Sequence, residues 1–472
     1  MIANPKAARV STSDLFNLRY IWLISLVAAM GGLLFGYDWV VIGGAKPFYE
    51  TFFQLVTPAA IGLAMSSALI GCLAGAVTSG VLSDKFGRKR LLILAAFIFT
   101  ISSIGTGMAG SFPAFLAWRI LGGVAIGLAS NLSPMYIAEV APGAIRGQLV
   151  SINQLTIVIG VLLAQIINWQ IARPVPPGAT AADILNSWNG QIGWRWMFGV
   201  TAIPALFFLL AMFIVPESPR WLAKTGQPER AKRVLARIGG DIFAQKELDY
   251  IEETLQNEIA RVDFRELLDP KLMPILGLGM FIAIFQQWCG INVVFNYAQE
   301  IFAAAGYRVS DTLFNIVVTG VTMFLFTFVA IFTVDRIGRR PLMLFGAAGL
   351  SITYLLLGSA YSLGLRGWPV LVLVIIAVAC YSFSLAPITW VILSEIFPNR
   401  IRGAAMAVGV FSLWFGCFVL TYTFPFLNSG LGSAGTFWVY CVICALGFYV
   451  IRRKLPETKD KSLEQIEHEL IR

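Results

Sequence analysis

Asp38 closes the stretch Met30-Gly31-Gly32-Leu33-Leu34-Phe35-Gly36-Tyr37-Asp38, inside an apolar run from about Tyr20 to Ala45. A run of that length crosses a bilayer. A carboxylate in hydrocarbon is costly, so it faces a cavity or a partner. The only other charge read as lying well inside a span is Arg119, in Trp118-Arg119-Ile120-Leu121-Gly122-Gly123. Asp38 sits about five residues, and Arg119 about six, from the same ends of their spans, so both lie roughly 8–9 Å deep. Matched depth allows an ion pair, and pairing makes both charges tolerable. A proton on Asp38 neutralises it, breaks the pair and biases any bistable packing. The bland alternative is a static pair that fixes helix register. Histidine chemistry in the spans is excluded, because the one histidine, His468, lies in the tail. Cys72, Cys289, Cys380, Cys417, Cys441 and Cys444 all fall in apolar segments and read as packing residues, the pair at 441 and 444 included. No metal, cofactor or activated nucleophile is implied, so an enzyme is not expected.

The elements that position these charges are membrane helices. Of 472 residues, 57% are hydrophobic and 13% charged, with mean hydropathy +0.76. Soluble chains carry about 25% charged residues. The net charge of +9 is no nucleic-acid signal, since Lys and Arg concentrate in the links on one side. That asymmetry places both termini in the cytoplasm. The first run is long and lacks a small-residue cleavage site, so a removable leader is not expected. Six apolar runs lie near 20–43, 58–82, 91–110, 113–138, 148–170 and 195–215, and six more near 273–304, 311–334, 341–362, 369–394, 404–426 and 434–452. The expected fold is all-α: twelve transmembrane helices in two six-helix halves, 1–215 and 273–453, with cytoplasmic linker helices at 216–272 and a tail at 454–472 that ends in an amphipathic stretch. The link 171–192, rich in Pro, Gly and Ala, reads as a tolerated surface insertion or a loose lid. Gly71, Gly75, Gly122, Gly123 and Gly127 allow close helix packing.

The halves repeat. Asp84-Lys85-Phe86-Gly87-Arg88-Lys89 recurs as Asp335-Arg336-Ile337-Gly338-Arg339-Arg340, Glu139 with Arg146 as Glu395 with Arg402, and Pro216-Glu217-Ser218 as Pro456-Glu457-Thr458. Three motifs in one order mark duplication of a six-span unit, and paired halves around a midplane site suggest alternating access. Asp84, Arg88, Glu139, Arg146 and Glu217, with Asp335, Arg339, Glu395, Arg402 and Glu457, suit a cytoplasmic latch of salt bridges that closes in one state and opens in another. Topogenic basic charge is the plainer reading, but it would not need the acids.

These motifs, together with Pro134-Met135-Tyr136-Ile137-Ala138-Glu139, Gln286-Gln287-Trp288-Cys289-Gly290-Ile291-Asn292 and Leu393-Ser394-Glu395-Ile396-Phe397-Pro398, resemble the sugar porter family of the major facilitator superfamily over nearly the whole chain. The resemblance implies proton-coupled import of a monosaccharide, with Asp38 as the proton carrier where facilitators have a neutral residue. Sugars need many hydrogen-bond partners and an apolar face to stack on. Amides donate and accept. Gln154, Gln286, Gln287, Asn292 and Asn296, with Trp390 and Trp414, fit that demand, and the resemblance adds Phe35 nearby. Amides bonding across helices and tryptophans as bulk are the alternatives.

Four pocket positions depart from the family pattern. Val161 stands where relatives offer a second Gln, Met323 for Asn, Leu413 for an amide, and Asn296 for Tyr. Three of these changes remove hydrogen-bonding groups, so the expected substrate is a sugar with fewer or differently placed hydroxyls, or a polyol. A uniporter and a non-transporting sugar receptor stay open as alternatives. A functional monomer in the plasma membrane, the inner membrane in a Gram-negative cell, is expected.

Overall fold

The computed structural model describes residues 16–176, 179–257, 269–270, 272–397 and 402–459. Every regular element among them is helical. The membrane helices are α1 (Leu18–Phe53), α2 (Pro58–Phe86), α3 (Arg88–Met108), α4 (Phe112–Val140), α5 (Arg146–Ile171) and α6 (Asn189–Ile214). The second half comprises α7 (Met273–Trp288, Ile291–Asn296 and Ala298–Ala304), α8 (Val309–Ile337), α9 (Arg339–Ser362), α10 (Trp368–Ile396), α11 (402–431) and α12 (433–454). Between the halves run the short linker helix Pro219–Lys224 and the longer linker segment Pro228–Asn257, which is two helices parted at Gly239 and Gly240. Their end of the bundle is called the basic end below, and the opposite one the far end.

Local chemistry sets the boundaries. Thr57 accepts a hydrogen bond from Ala60 N, and Pro58 opens α2 at a position where its missing N–H costs nothing. The turns from α2 to α3 and from α8 to α9 pass through one residue each, Gly87 and Gly338, at φ +90° and +99°. Only glycine holds such a backbone cheaply, so the repeated Gly in the two motifs is a repeated corner. Packing repeats as well: α2 lies along α4, α1 along α5 and α3 along α6, matched by α8 on α10, α7 on α11 and α9 on α12. Small residues make this possible. A Cβ on Gly123 would collide with the Ala68 carbonyl, and one on Gly71 with that of Ile120.

Four boundaries differ from the sequence reading. Helix α1 continues past residue 43 to Phe53, through Pro47, because Lys46 and Glu50 satisfy each other and Thr51 Oγ1 donates to Pro47 O at 2.8 Å. The seventh run breaks into three pieces, at Gly290 (φ +87°) and at Tyr297. The eleventh and twelfth runs are two helices, as expected, but the link between them is the single residue Gly432, at φ +66° and ψ 178°. The link 171–192 is anchored, not loose. It contains the helix Ala181–Asn186, capped by Thr180 and Asp183, and Asn189 bonds both the N–H and the carbonyl of Arg173 at 2.8 Å. The tail beyond 459 lies outside the described residues.

Candidate functional site

The first span brings Asp38 to the fourth span's Arg119. Arg119 Nη1 donates to Asp38 Oδ1 at 2.7 Å, and both residues are buried, 3% and 6% exposed. The guanidinium also lies 5.3 Å from the centre of the Phe198 ring. Asp38 Oδ2 and Arg119 Nε have no partner among the described residues. A buried pair with unfilled valences is poorly compensated. Its carboxylate has one oxygen held and one open to a proton or a water.

Asp38 and Arg119 line one cavity together with one amide and several aromatic residues. Phe35, Asp38, Arg119, Asn296 and Trp414 all line it. Phe35 and Trp414, on α1 and α11, approach to 5.5 Å between ring centres. Behind them α7 presents a chain of amides: Asn292 Nδ2 donates to Gln287 Oε1, Gln287 Nε2 to Gln286 Oε1, and Gln286 Nε2 to the Tyr381 hydroxyl at 2.6 Å. Asn296 Oδ1 and Trp414 Nε1 are buried without a partner among the described residues. These unfilled positions are what a hydroxylated ligand completes. The cavity holds only ≈ 10 Å³, about one water, so a sugar does not fit beside the pair in this state.

Not every expected site residue joins this group. Gln154 is half-buried and Trp390 is 37% exposed. Neither is tied to the amide chain by a hydrogen bond or ring contact among the described residues. Val161, Met323 and Leu413 are buried apolar residues.

Sequence reasoning missed three features. The first is a second buried cation. Lys46 of α1 is 3% exposed and pairs with Glu50 at 2.8 Å and with Glu300 of α7, while its ammonium lies 5.6 Å from the Tyr297 ring centre. Its signal was present in the i, i+4 spacing of Lys46 and Glu50 and in an acid, Glu300, inside the seventh run. The second is Tyr381, which orients Gln286. The third is a polar face of α5 against α8: Gln165 packs on Gly320 with both amide atoms unpartnered among the described residues.

At the basic end the acids and arginines pair, but each within its own half. Arg88 bonds Glu139 at 2.9 Å and Asp84 at 3.2 Å. Arg339 bonds Glu395 at 3.3 Å. Glu217 accepts the N–H groups of Arg88 and Lys89, and Glu457 those of Arg339 and Arg340, so each acid caps the first turn of a helix. Arg146 reaches only its neighbouring carbonyl, Ala141 O, at 3.4 Å. The side chains of Asp335 and Arg402 lie outside the described residues. Among the described residues no ion pair crosses between the halves at this end. The halves meet instead toward the far end, through Lys46 with Glu300, Trp39 with Phe295 (5.6 Å), Trp169 with Phe314 (5.7 Å) and Val175 N with Ser310 Oγ (3.2 Å). Inter-half contacts at the far end, with no ion pair between the halves at the basic end among the described residues, are what one limit of a rocking motion would show.

Known proteins share this design. The chain is 38% identical to the D-xylose-proton symporter of Escherichia coli, with 96% of each chain covered, and 37% identical to the arabinose-proton symporter of Bacillus subtilis, covering 96% of this chain and 95% of that one. The partially occluded inward-open structure of the xylose transporter XylE from E. coli superposes with a TM-score of 0.83 at 37% identity, over 94% of this chain and all of that one. The family model for sugar (and other) transporters matches residues 24–470. With twelve helices in two repeated halves and that match along almost its whole length, the chain belongs to the sugar transporter family of the major facilitator superfamily.

Proposed function

We propose that the chain imports a monosaccharide together with a proton by alternating access, with the basic end and both termini in the cytoplasm. One observation carries this reading: Asp38, with one oxygen unpartnered among the described residues, lines the same cavity as Asn296, Phe35 and Trp414. Proton and solute therefore act on one surface. Protonation of Asp38 releases Arg119 and loosens α1 from α4. Solute fills the open amide valences of α7 and draws α1 and α11 together around it. One proton moving down 100 mV yields about 2.3 kcal/mol, enough for roughly fifty-fold accumulation of a neutral solute. Gln286, Gln287, Asn292, Asn296 and Trp414 bind the sugar in this reading. Gln154 and Trp390 complete the wall when the halves rock.

The substrate is a sugar with few hydroxyls. Xylose and arabinose, named for the two symporters above, are pentoses, and buried Val161, Met323 and Leu413 offer nothing to a sixth carbon's hydroxyl. The test is uptake into proteoliposomes with and without an inward proton gradient. Wild type concentrates labelled pentose only with the gradient, and Asp38→Asn exchanges it without concentrating it. Full accumulation by Asp38→Asn would favour a uniporter or a different coupling group. Binding without any uptake would favour a receptor.

A further inference from the structure

Under the first half, a second cavity of ≈ 620 Å³ opens between the foot of α3 and the linker helices. Its size is that of a small-molecule site. Five cations line it: Lys89 and Arg90 from α3, and Arg230, Arg233 and Arg237 from the longer linker helix. The three linker arginines are spaced i, i+3 and i+7, so they share one helix face. Glu217 is the one acid in the wall, and its Oε1 already accepts from the N–H groups of Arg88, Lys89 and Ser218 at 2.9–3.0 Å. Among the described residues no carboxylate lies within ion-pair distance of any of the five cations. Trp221, Pro216 and Leu222 supply an apolar floor.

Holding charge on one side of a membrane requires basic residues there, but not five of them converging on one cavity from two separate elements. Like charges at that spacing modestly disfavour the helix, a cost that an anion between them offsets. Guanidinium groups in a fork match phosphate oxygens bidentately. We infer that this cavity binds a phosphate-bearing anion that ties the linker helix to the first half. The cavity shares no residue with the sugar site, so the inference holds whichever solute the chain carries. A soluble phosphate ester and a phospholipid headgroup have the same chemistry, and the experiment separates them.

Full-length protein in neutral detergent is titrated with inorganic pyrophosphate by calorimetry. The expected result is saturable binding near one per chain. Arg233→Gln with Arg237→Gln on one wall, and Arg90→Gln on the other, should each weaken it about tenfold or more, with unchanged gel-filtration profiles and helicity. The titration is repeated in nanodiscs of phosphatidylcholine with and without phosphatidylglycerol. Equal pyrophosphate affinity in both discs assigns the site to a soluble phosphate compound. Loss of binding only in the anionic discs assigns it to a headgroup. Absence of saturable binding in detergent, or variants of either wall that bind like wild type, overturns the inference.

Discussion

Lys46 and Glu300 join the two halves of the molecule through an ion pair near the far end, its ammonium buried and its Glu300 carboxylate 26% exposed, with Glu50 as the second carboxylate on the same ammonium. One charge comes from α1 and the other from α7, so the pair exists only while the halves are together there. Breaking a buried pair by removing one partner costs about 3–5 kcal/mol. Lys46→Met leaves two carboxylates facing each other and should raise the far-end-open population at least tenfold. Spin labels at the exposed positions Gln191 and Leu363, one on each half, read this as a longer distance by pulsed EPR. Lys46→Met with Glu300→Gln should recover most of the short distance. An unchanged distance distribution in Lys46→Met would remove the pair from the closing mechanism.

The Asp38–Arg119 pair makes a different prediction, about stability. Arg119→Leu strands a carboxylate that is 6% exposed and should destabilise the protein by about 3–5 kcal/mol. Adding Asp38→Asn should restore much of that loss, because the neutral side chain no longer needs a counter-charge. Thermal unfolding of the four proteins in detergent gives the coupling energy, and strict additivity would show that the two residues do not interact.

Tyr381 is expected to act through Gln286. Removing its hydroxyl in Tyr381→Phe frees the Gln286 amide to turn, which should raise KM for the sugar several-fold. Concentrative uptake at saturating sugar should persist, because Asp38 is untouched. A change in accumulation ratio with unaltered KM would contradict the role given to the amide chain.

Substrate choice is expected to follow the apolar positions. Met323→Asn with Leu413→Gln restores two hydrogen-bonding groups and should shift competition from pentoses toward hexoses by about tenfold, the scale of one or two hydrogen bonds. Competition of unlabelled sugars against labelled pentose measures it, and an unmoved preference would show that these positions do not set specificity.

Close helix packing supplies a structural check. Gly123→Val drives a side chain into the Ala68 carbonyl and should destabilise by about 1–3 kcal/mol or more. Gly147→Ala, which meets open space, should not. Equal melting temperatures for the two variants would mean that α2 and α4 are less closely packed than described.

Much of this was legible in the residues. The repeat of Asp84 to Lys89 at Asp335 to Arg340 announced both the duplication and its corners, because a positive φ demands glycine wherever the turn recurs. Asp38 does pair with Arg119, but not at the matched depth expected, since α1 runs on to Phe53 and Asp38 lies much farther from its end than Arg119 does from the start of α4. Hydropathy ends the span at the first charge, and here the charges are neutralised inside the fold, so the helix runs on by about three turns. The same bias hid Lys46: a lysine after an apolar run reads as a loop residue until its acid on another helix is known. Which conformation the latch residues occupy was not in the sequence at all, since Arg88–Glu139 bridges serve an open and a closed state equally well.

The chamber beside Asp38 has a consequence for the cell's energy supply. It has space for about one water, too little for a sugar or a file of solvent beside the carboxylate in this conformation. Solvent reaching the carboxylate in this conformation is limited to about that one water, which restricts any proton leak past the pair.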